Sequence, residues 1–185
     1  FDESTLIALD SERCRALGLD IHSVPAPGDP RPLELHIATG SRCPASCEGC
    51  YIDARPDGLE RSFDEVCQSL CWAQKQGVAI IAFGGGEPLM REDIGRLAEY
   101  ARSLGLLPVT TTSGIGLTKE RARELKAFAQ INISHDGVGG AYEAVRGFGS
   151  AEIPERALQL ITEQGIRAGI NLVLTRDSFD TVEET

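Results

Sequence analysis

The stretch Val78-Ala79-Ile80-Ile81-Ala82-Phe83, followed at once by Gly84-Gly85-Gly86-Glu87-Pro88, decides the fold of this chain. An unbroken apolar run of this length is typical of a strand that is buried on both faces, as the strands of parallel sheets are. The three glycines allow backbone angles that other residues avoid, and they let another group approach the main chain closely. The stretch therefore predicts a buried parallel strand that ends in a loop built for close contact, with the carboxylate of Glu87 at its end.

Strand and helix patterns alternate on both sides of this stretch. We predict strands at 33–38, 78–83, 106–112, 130–134 and 166–175, and helices at 62–76, 91–104, 118–128 and 154–164, with another helix opening at Ser178 or Asp180. Strands that alternate with helices of roughly 10–15 residues imply right-handed parallel β/α units. The predicted class is α/β with a parallel sheet, either open and doubly wound or curled into a barrel or partial barrel.

The first 32 residues form a separate region. A short helix at 5–17 and a strand at 19–24 are predicted there, before the proline-rich run Pro25-Ala26-Pro27-Gly28-Asp29-Pro30-Arg31-Pro32. Prolines at this density disfavour a helix or a central strand and mark a linker. We therefore divide the chain into an N-terminal extension with its linker at 1–32 and a core domain at 33–185.

Three cysteines, Cys43, Cys47 and Cys50, follow the first predicted strand in a Cys-x3-Cys-x2-Cys arrangement. Thiolates at this spacing favour iron–sulfur clusters and zinc. A four-iron cluster or a structural zinc normally takes four protein ligands. Three ligands would leave one metal position open, which suggests chemistry rather than scaffolding.

The other cysteines are Cys14, Cys67 and Cys71. Cys67 and Cys71 continue the apolar stripe of the first predicted core helix, and we interpret them as small buried residues rather than a second metal site. We assign no structural or metal-binding role to Cys14. An even number of cysteines would also fit disulfides, but a chain of this length without a visible secretion signal favours metal ligands in a reducing compartment.

The bulk composition excludes several classes of function. The chain has 185 residues, of which 42% are hydrophobic and 25% charged, and its net charge is −10. A net negative charge argues against non-specific electrostatic binding to nucleic acid or to anionic membranes. The sequence contains no apolar run near the roughly 18 residues that span a bilayer. We therefore predict a cytoplasmic protein without a nucleic-acid or membrane partner.

Polar motifs follow the later strands as well. Ser113-Gly114 comes after the third predicted strand, and Ser134-His135-Asp136-Gly137 comes after the fourth. Because ligands of parallel α/β folds gather at the carboxyl ends of the strands, these motifs are expected to share one site with the cysteines and the glycine loop.

Taken together, these residues resemble the radical S-adenosylmethionine (SAM) enzyme superfamily. The match depends on the cysteine triplet after the first strand and on 84–88 after the second. The segments 133–137 and 169–175 add further agreement. The resemblance covers roughly 33–185 and implies a partial, TIM-like (β/α)6 barrel. About five of its units are visible, and the chain ends before the sixth strand. Within the superfamily, the motifs of this sequence most resemble those of the SPASM/twitch-type branch, which matures peptides and cofactors.

The resemblance also implies the cofactors and their ligands. A [4Fe-4S] cluster would be held by Cys43, Cys47 and Cys50, with SAM on the open iron. The implied SAM contacts are Gly84, Gly85, Gly86 and Glu87 at the methionine amino group, Ser134 and Asp136 near the ribose, Asn171 near the methionine carboxylate or ribose, and Tyr51 near the adenine. Reductive cleavage of SAM would give a 5′-deoxyadenosyl radical that abstracts hydrogen from the substrate. The resemblance assigns no catalytic side chain.

Two positions depart from the family pattern. Gly49 stands where an aromatic residue usually precedes the third cysteine, so Tyr51 is the aromatic side chain offered for the adenine. Ser113 stands where the third strand often ends in Thr-Asn-Gly, and it has fewer hydrogen-bonding groups than asparagine.

The implied partners are a reductant such as flavodoxin or ferredoxin and a substrate that is a peptide, a protein or a cofactor precursor, with a peptide favoured. The sequence lacks the cysteine-rich extension that carries auxiliary clusters in such enzymes, so the chain is predicted to be a radical core from a longer protein. One alternative is a non-catalytic iron–sulfur or zinc module, which leaves the glycine loop unexplained. The other is a nucleotide-binding α/β protein, which leaves the cysteines unexplained.

Three further side chains have competing interpretations. His135 is interpreted mainly as a residue that stabilises the turn after the fourth strand. Arg146 is either a surface residue or a cation that reaches a carboxylate or phosphate of the substrate. Trp72 is interpreted as a packing residue beside the apolar face of its helix.

Overall fold

The structure is a computed structural model, and it describes residues 32–45, 47, 49–147, 149–174, 176 and 179–185. The helix predicted at 5–17 and the strand predicted at 19–24 lie outside the described residues, and so does nearly all of the predicted N-terminal extension. The described residues form one parallel sheet with helices between its strands.

The sheet consists of five strands, β1 Glu34–Ala38, β2 Ile80–Gly84, β3 Leu107–Thr112, β4 Gln130–Ser134 and β5 Arg167–Asn171. Every neighbouring pair is parallel, and the order in space is β1-β2-β3-β4-β5. A doubly wound sheet reverses its strand order at a switch point, whereas a barrel adds each strand beside the last. The described strands keep the chain order throughout, so the barrel-type alternative is the one that the structure adopts.

In the described part of the chain, five α-helices accompany the strands: α1 Phe63–Lys75, α2 Ile94–Ser103, α3 Lys119–Arg123, α4 Gly140–Arg146 and α5 Glu152–Glu163. Short 3-10 helices follow at Pro88–Met90 and at Phe179–Thr181, where the sequence predicted the start of a helix. β5 ends at Asn171, four residues before the predicted end of that strand.

Two helices differ from the prediction by more than three residues at an end. α3 stops at Arg123 although the pattern continues to Phe128, because Leu125 and Phe128 donate to carbonyls three residues back, Ala122 and Leu125, at 3.2 and 3.0 Å. Such bonds form tighter turns than an α-helix. α4 was not predicted at all. Glycines lie at both of its ends and weaken the helical pattern in the sequence.

α1 shows why the predicted helices form where they do. The Ser62 hydroxyl accepts a bond from the Glu65 backbone N–H at 3.2 Å, and the Glu65 carboxylate accepts one from the Ser62 N–H at 2.7 Å. This reciprocal capping box fixes the first turn. The indole of Trp72 lies on the outer side and is 53% exposed, so the packing interpretation of that residue was wrong. Cys67 is half-buried and packs against the core, in partial agreement with its predicted role.

The hydrophobic core lies between the sheet and the helices. Alternate strand residues supply it, because successive side chains of a strand point to opposite faces. Its fully or nearly fully buried strand members are Ile37, Ile81, Phe83, Ile131 and Ile133, and its helix members include Val66, Leu70, Leu97, Ala98 and Ile161. The intervening strand residues face the opposite, concave side. The helix layer therefore covers one side of the sheet, and the concave side and the carboxyl ends of the strands remain for a ligand.

None of the helices that the structure describes is long and apolar enough to cross a membrane.

Candidate cofactor site

Main-chain hydrogen bonds hold the described parts of the loop that carries the three cysteines. The Cys43 N–H donates to the Arg55 carbonyl at 2.9 Å, and the Arg55 N–H donates to the Ser41 carbonyl at 3.1 Å. Further along, the Cys50 N–H donates to the Cys47 carbonyl at 3.3 Å. The return of the chain through Arg55 thus forms a short ladder beside the loop. All three thiols are free of disulfides.

The glycine loop after β2 docks directly on this cysteine loop. The Gly86 N–H donates to the Gly40 carbonyl at 3.0 Å, and the Glu87 N–H donates to the Arg42 carbonyl at 2.8 Å. A Cβ added to Gly85 would lie 2.1 Å from the Gly40 oxygen, and one added to Gly86 would lie 2.1 Å from the Arg42 oxygen. Both positions therefore require glycine. The close approach that the sequence predicted is made here by the backbone of the cysteine loop.

Glu87 ties the glycine loop to the end of β3. Its carboxylate is buried, with the residue 5% exposed, and it accepts four hydrogen bonds. Oε1 accepts from the Leu89 N–H at 3.0 Å and from the Thr112 hydroxyl at 2.5 Å. Oε2 accepts from the Ser113 N–H at 2.8 Å and from its hydroxyl at 2.6 Å. These four donors match the four lone-pair sites of a carboxylate and offset the cost of burying its charge.

Ser113 has a defined role in this contact. The residue departs from the asparagine of the family pattern, but its hydroxyl and backbone N–H both donate to the same Glu87 oxygen. A short hydroxyl side chain is sufficient for this bond. The departure from the pattern therefore leaves the link between β3 and the glycine loop intact.

The polar residues after β4 and β5 lie side by side. Ser134 is directly opposite Asn171 in the parallel register, and the His135 N–H donates to the Asn171 carbonyl at 3.0 Å. Ser134 is 8% exposed, whereas Asn171 is exposed. Asp136 is fully buried, and its Oδ1 accepts a bond from the Val173 N–H at 2.7 Å. The structure thus brings together the predicted residues of this edge.

Arg146, at the last position of α4, joins the two sides of the site. Its guanidinium forms an ion pair with the Asp136 carboxylate, and its Nη1 donates to the Cys47 sulfur at 3.7 Å. Only 17% of the side chain is exposed. Burial lowers the pKa of Arg146, but Asp136 and Cys47 more than offset that effect, and the pKa is raised above its usual value. Of the two interpretations offered by the sequence, the surface role of Arg146 is wrong.

The surroundings of Cys43 disfavour the thiolate form of its side chain. Burial raises the pKa of the Cys43 thiol, a backbone hydrogen bond at Ala45 lowers it, and the negative charges of Glu87, Cys47 and Cys50 raise it further. A cationic metal centre would reverse this penalty and favour the thiolates. The donor chemistry of the three cysteines therefore fits an iron–sulfur cluster.

Among the described residues, no three His, Cys, Asp or Glu side chains are grouped closely enough to hold a metal ion. In an iron–sulfur cluster each cysteine binds a different iron, and the thiols are therefore spaced more widely than the ligands of one ion. The fit to a cluster rests on the thiol donors and on their shared loop.

Tyr51 and His135 lie at opposite margins of the site. The Tyr51 hydroxyl stands over the end of β2, 3.8 Å from where a Cβ on Gly84 would lie, and the residue is 84% exposed. His135 is 2% exposed, and its ring meets the buried Tyr142 ring edge-on at 6.1 Å. Burial lowers the pKa of His135. This packing beneath the turn agrees with the predicted stabilising role of His135.

Residues 37–185 match the model of a protein family described as the Radical SAM superfamily, and the chain belongs to that superfamily. The predicted membership is confirmed, and so are the cofactors that it entails, a [4Fe-4S] cluster and SAM. The glycine loop and the cysteine loop, which the structure joins, are the two segments on which the prediction depended.

Two curated relatives support the predicted peptide- and cofactor-maturing branch. An Fe-coproporphyrin III synthase from Methanosarcina barkeri (strain Fusaro / DSM 804) is 30% identical over 168 residues, which is 84% of this chain and 42% of the relative. A PqqA peptide cyclase from Streptomyces rochei is 33% identical over 161 residues, which is 84% of this chain and 44% of the relative. The chain thus spans less than half the length of these relatives.

The fold is confirmed by solved structures. Streptococcus suis SuiB bound to SAM superposes with a TM-score of 0.70 at 22% identity, over 83% of this chain and 36% of SuiB. The structure of SuiB bound to its precursor peptide SuiA gives a TM-score of 0.72 at 23% identity, over 83% of this chain and 35% of SuiB. These similarities confirm the α/β class and agree with a partial barrel.

Proposed function

We propose that this chain is the SAM-cleaving core of a radical SAM enzyme that abstracts hydrogen from a peptide. The observation that carries the proposal is the contact between the cysteine loop and the glycine loop, in which Gly85 and Gly86 meet backbone carbonyls without room for a Cβ. Two loops held this closely at the carboxyl ends of adjacent strands form a preorganised rim. The rim carries three thiols and a buried carboxylate.

When bound, a reduced [4Fe-4S] cluster supplies the electron that cleaves SAM to methionine and a 5′-deoxyadenosyl radical, which then takes a hydrogen atom from the substrate. Cys43, Cys47 and Cys50 hold the cluster in this proposal. The backbone of Gly84, Gly85 and Gly86 receives the methionine amino group, and the negative charge of Glu87 favours that ammonium group.

The remaining predicted contacts lie along the same rim. Ser134 and Asn171, which stand opposite each other at the ends of β4 and β5, are proposed to bind the ribose or the methionine carboxylate. Tyr51 is proposed to cover the adenine. Asp136 was predicted near the ribose, and its carboxylate already accepts the Val173 N–H and faces Arg146. We therefore propose that Asp136 acts near the ribose by holding this edge in place.

The concave face of the sheet is most polar at β4 and β5, which favours a polar substrate there. Barrel interiors are usually filled by bulky branched side chains. The concave side has such residues at β2 and β3, namely Ile80, Leu107 and Val109, whereas its small or polar residues are His36, Ala38, Ala82, Gly84, Gln130, Asn132 and Gly169. The Gln130 amide donates to Asn132 at 2.7 Å, and a Cβ on Gly169 would lie 2.4 Å from that asparagine oxygen. Gly169 thus makes room for an amide pair of the kind that binds peptide groups.

The peptide substrate, the reductant and the cellular location complete the proposal. A peptide is supported by the similarity to PqqA peptide cyclase and to SuiB, which was solved with its precursor peptide. Flavodoxin or ferredoxin would supply the electron in the reducing cytoplasm, where free thiols persist.

Anaerobic reconstitution with iron and sulfide tests the cluster. We expect an oxygen-sensitive four-iron spectrum that SAM perturbs, because a cluster held by three cysteines would leave one iron for SAM to bind. Cys47→Ala removes a ligand and should abolish the spectrum, whereas Cys67→Ala, a control on the half-buried side of α1, should retain it. A colourless protein that binds zinc in place of iron would contradict the proposal and favour a structural metal module.

Isotope transfer tests the substrate. Peptides encoded beside this gene would be synthesised with deuterium in place of hydrogen and incubated with the reconstituted protein, SAM and dithionite. We expect deuterium in 5′-deoxyadenosine by mass spectrometry. SAM cleavage without transfer from any of these peptides would retain the radical chemistry but reject the peptide substrate.

A further inference from the structure

Arg146 reaches the cysteine loop from a helix that lies about a hundred residues further along the chain. Its Nη1 donates to the Cys47 sulfur at 3.7 Å, and its guanidinium is only 17% exposed. Cys47 is itself half-buried. A cation so close to a thiol, with little water around it, is screened far less than a surface charge.

Two features of the fold hold the guanidinium in this position. The buried Asp136 carboxylate pairs with it, and the other oxygen of that carboxylate accepts the Val173 N–H at 2.7 Å. The helix ends immediately afterwards, since Gly147 has a φ of 72° and its N–H donates to the Glu143 carbonyl at 2.7 Å. A left-handed glycine at this point stops the helix with Arg146 in its last turn. The Arg146 guanidinium therefore has a defined position beside Asp136 and Cys47.

We propose that Arg146 is a positioning residue that raises the reduction potential of the cluster by hydrogen bonding to the Cys47 sulfur and by its positive charge. Hydrogen bonds to cysteine sulfur and the local net charge are two of the factors that set the potential of an iron–sulfur cluster. Reduction adds one negative charge to the cluster, and a fixed cation nearby stabilises that added charge. The inference rests on the proposed cluster and concerns its electron acceptance rather than the binding of SAM.

The test is a redox titration of the reconstituted 185-residue chain, followed by electron paramagnetic resonance without SAM. For Arg146→Gln we expect the ratio of reduced to oxidised cluster at a fixed potential to fall about tenfold, which is a shift of about 59 mV for one electron. Arg146→Lys keeps the charge but loses the planar fork, so its shift should be smaller and of the same sign. Omitting SAM separates this effect from any contact between Arg146 and SAM.

Three variants make the test independent of folding defects and of net charge. Arg123→Gln removes the same charge from an exposed position on α3 and should leave the potential unchanged. Asp136→Asn keeps the cation and removes its anionic partner, so the potential should not fall. Arg146→Gln combined with Asp136→Asn removes both charges and avoids a buried, unpaired carboxylate. It should still show a lowered potential if the cation beside Cys47 is what matters.

Equal potentials for the wild-type chain and for Arg146→Gln would overturn the inference, as would equal downward shifts for Arg146→Gln and Arg123→Gln. A parallel fall in Asp136→Asn would also overturn it, because a merely structural role of the pair predicts that both substitutions act alike. If the unmodified chain binds no four-iron cluster, the proposed function fails, and this inference fails with it.

Discussion

Each of the two sides of the candidate site is stabilised by a different kind of interaction. On the side of β1 and β2, two loops are joined through backbone hydrogen bonds, and glycines allow their close approach. On the side of β4 and β5, the turn at Asp136 is joined to α4 by a buried ion pair with Arg146. The first side depends on the absence of side chains, and the second depends on their charges. The two sides should therefore respond differently to substitution, to conservative replacement and to pH.

The largest effect is expected on the charged side. Arg146→Gln leaves Asp136, which is fully buried, without its cation. Breaking a buried pair by removing one partner costs about 3–5 kcal/mol. We expect the lower end of that range, because 17% of the arginine side chain remains in solvent. Urea unfolding of the chain without cofactors measures the loss as a lower midpoint at an unchanged slope.

A double-mutant cycle checks the cause of this loss. Arg146→Gln combined with Asp136→Asn should be more stable than Arg146→Gln alone, since the asparagine carries no charge to leave unpaired. Additive costs of the two substitutions would mean that the two side chains are not coupled, and the contrast between the two sides of the site would lose its basis.

The next effect is expected where the loops meet. In Gly86→Ala the new methyl group would lie 2.1 Å from the Arg42 carbonyl oxygen, so one loop must move. Overpacking of this kind costs up to about 3 kcal/mol. Because the displaced loop carries Cys43, reconstituted iron per chain should fall together with the unfolding midpoint.

Gly140→Ala is the matched control for this substitution. Gly140 is the first residue of α4 and has ordinary backbone angles, and a Cβ added to it would meet no neighbouring atom within 4 Å. Alanine favours a helix over glycine by about 1 kcal/mol, so this variant should match or exceed the wild-type stability. A Gly86→Ala protein as stable as Gly140→Ala would show that the loops are not in contact at Gly86.

A smaller effect is expected for Glu87→Gln, which keeps the shape of the side chain. The amide offers one acceptor oxygen in place of two, so two of the four donors around Glu87 face an NH2 group. Leaving buried donors unsatisfied costs about 1–3 kcal/mol, and local rearrangement should hold the loss near the lower figure. Urea unfolding of Glu87→Gln and of Glu60→Gln, a control at a more exposed carboxylate, provides the measurement. Equal stabilities would indicate that the link from Glu87 to β3 is dispensable.

The contrast between the two sides of the site also shows which of its features could be predicted from the sequence. The glycine loop, the cysteine triplet and the carboxyl ends of β1 to β4, each to within one residue, were predicted, because each is a contiguous motif with a local cause. The pairing of Arg146 with Asp136 joins residues ten apart across a helix that was not predicted. The contact of Arg146 with Cys47 joins residues 99 apart in the chain. Local patterns carry no signal for such contacts. The choice between an open sheet and a barrel likewise depended on strand order, which periodicity does not encode.

Local rules also failed where neighbouring structure decided the outcome. Trp72 belongs to an amphipathic helix, and the pattern placed it beside the apolar face. Its exposure depends on the position of the helix beside β1, at the edge of the described sheet. The contact of Glu87 with a ligand stays a prediction, but its residue type did not reveal the four donors around its carboxylate, which are the Leu89 N–H, the Thr112 hydroxyl, and the N–H and hydroxyl of Ser113. Those partners become apparent only once the strands are in register.

The smallest effect is a pH dependence on the charged side. Burial lowers the pKa of His135 in the folded chain below its usual value of about 6.5. Below about pH 6.5 the unfolded chain therefore takes up a proton that the folded chain resists, and stability is lost as the pH falls toward the folded pKa. His135→Gln should remove part of this slope, seen as a smaller change in urea midpoint between pH 7 and pH 5. The exposed His36, replaced by glutamine, serves as the matched control and should leave the slope unchanged. If both histidine variants retain the wild-type slope, the acid sensitivity arises elsewhere, and burial of the imidazole beside Tyr142 contributes nothing measurable to it.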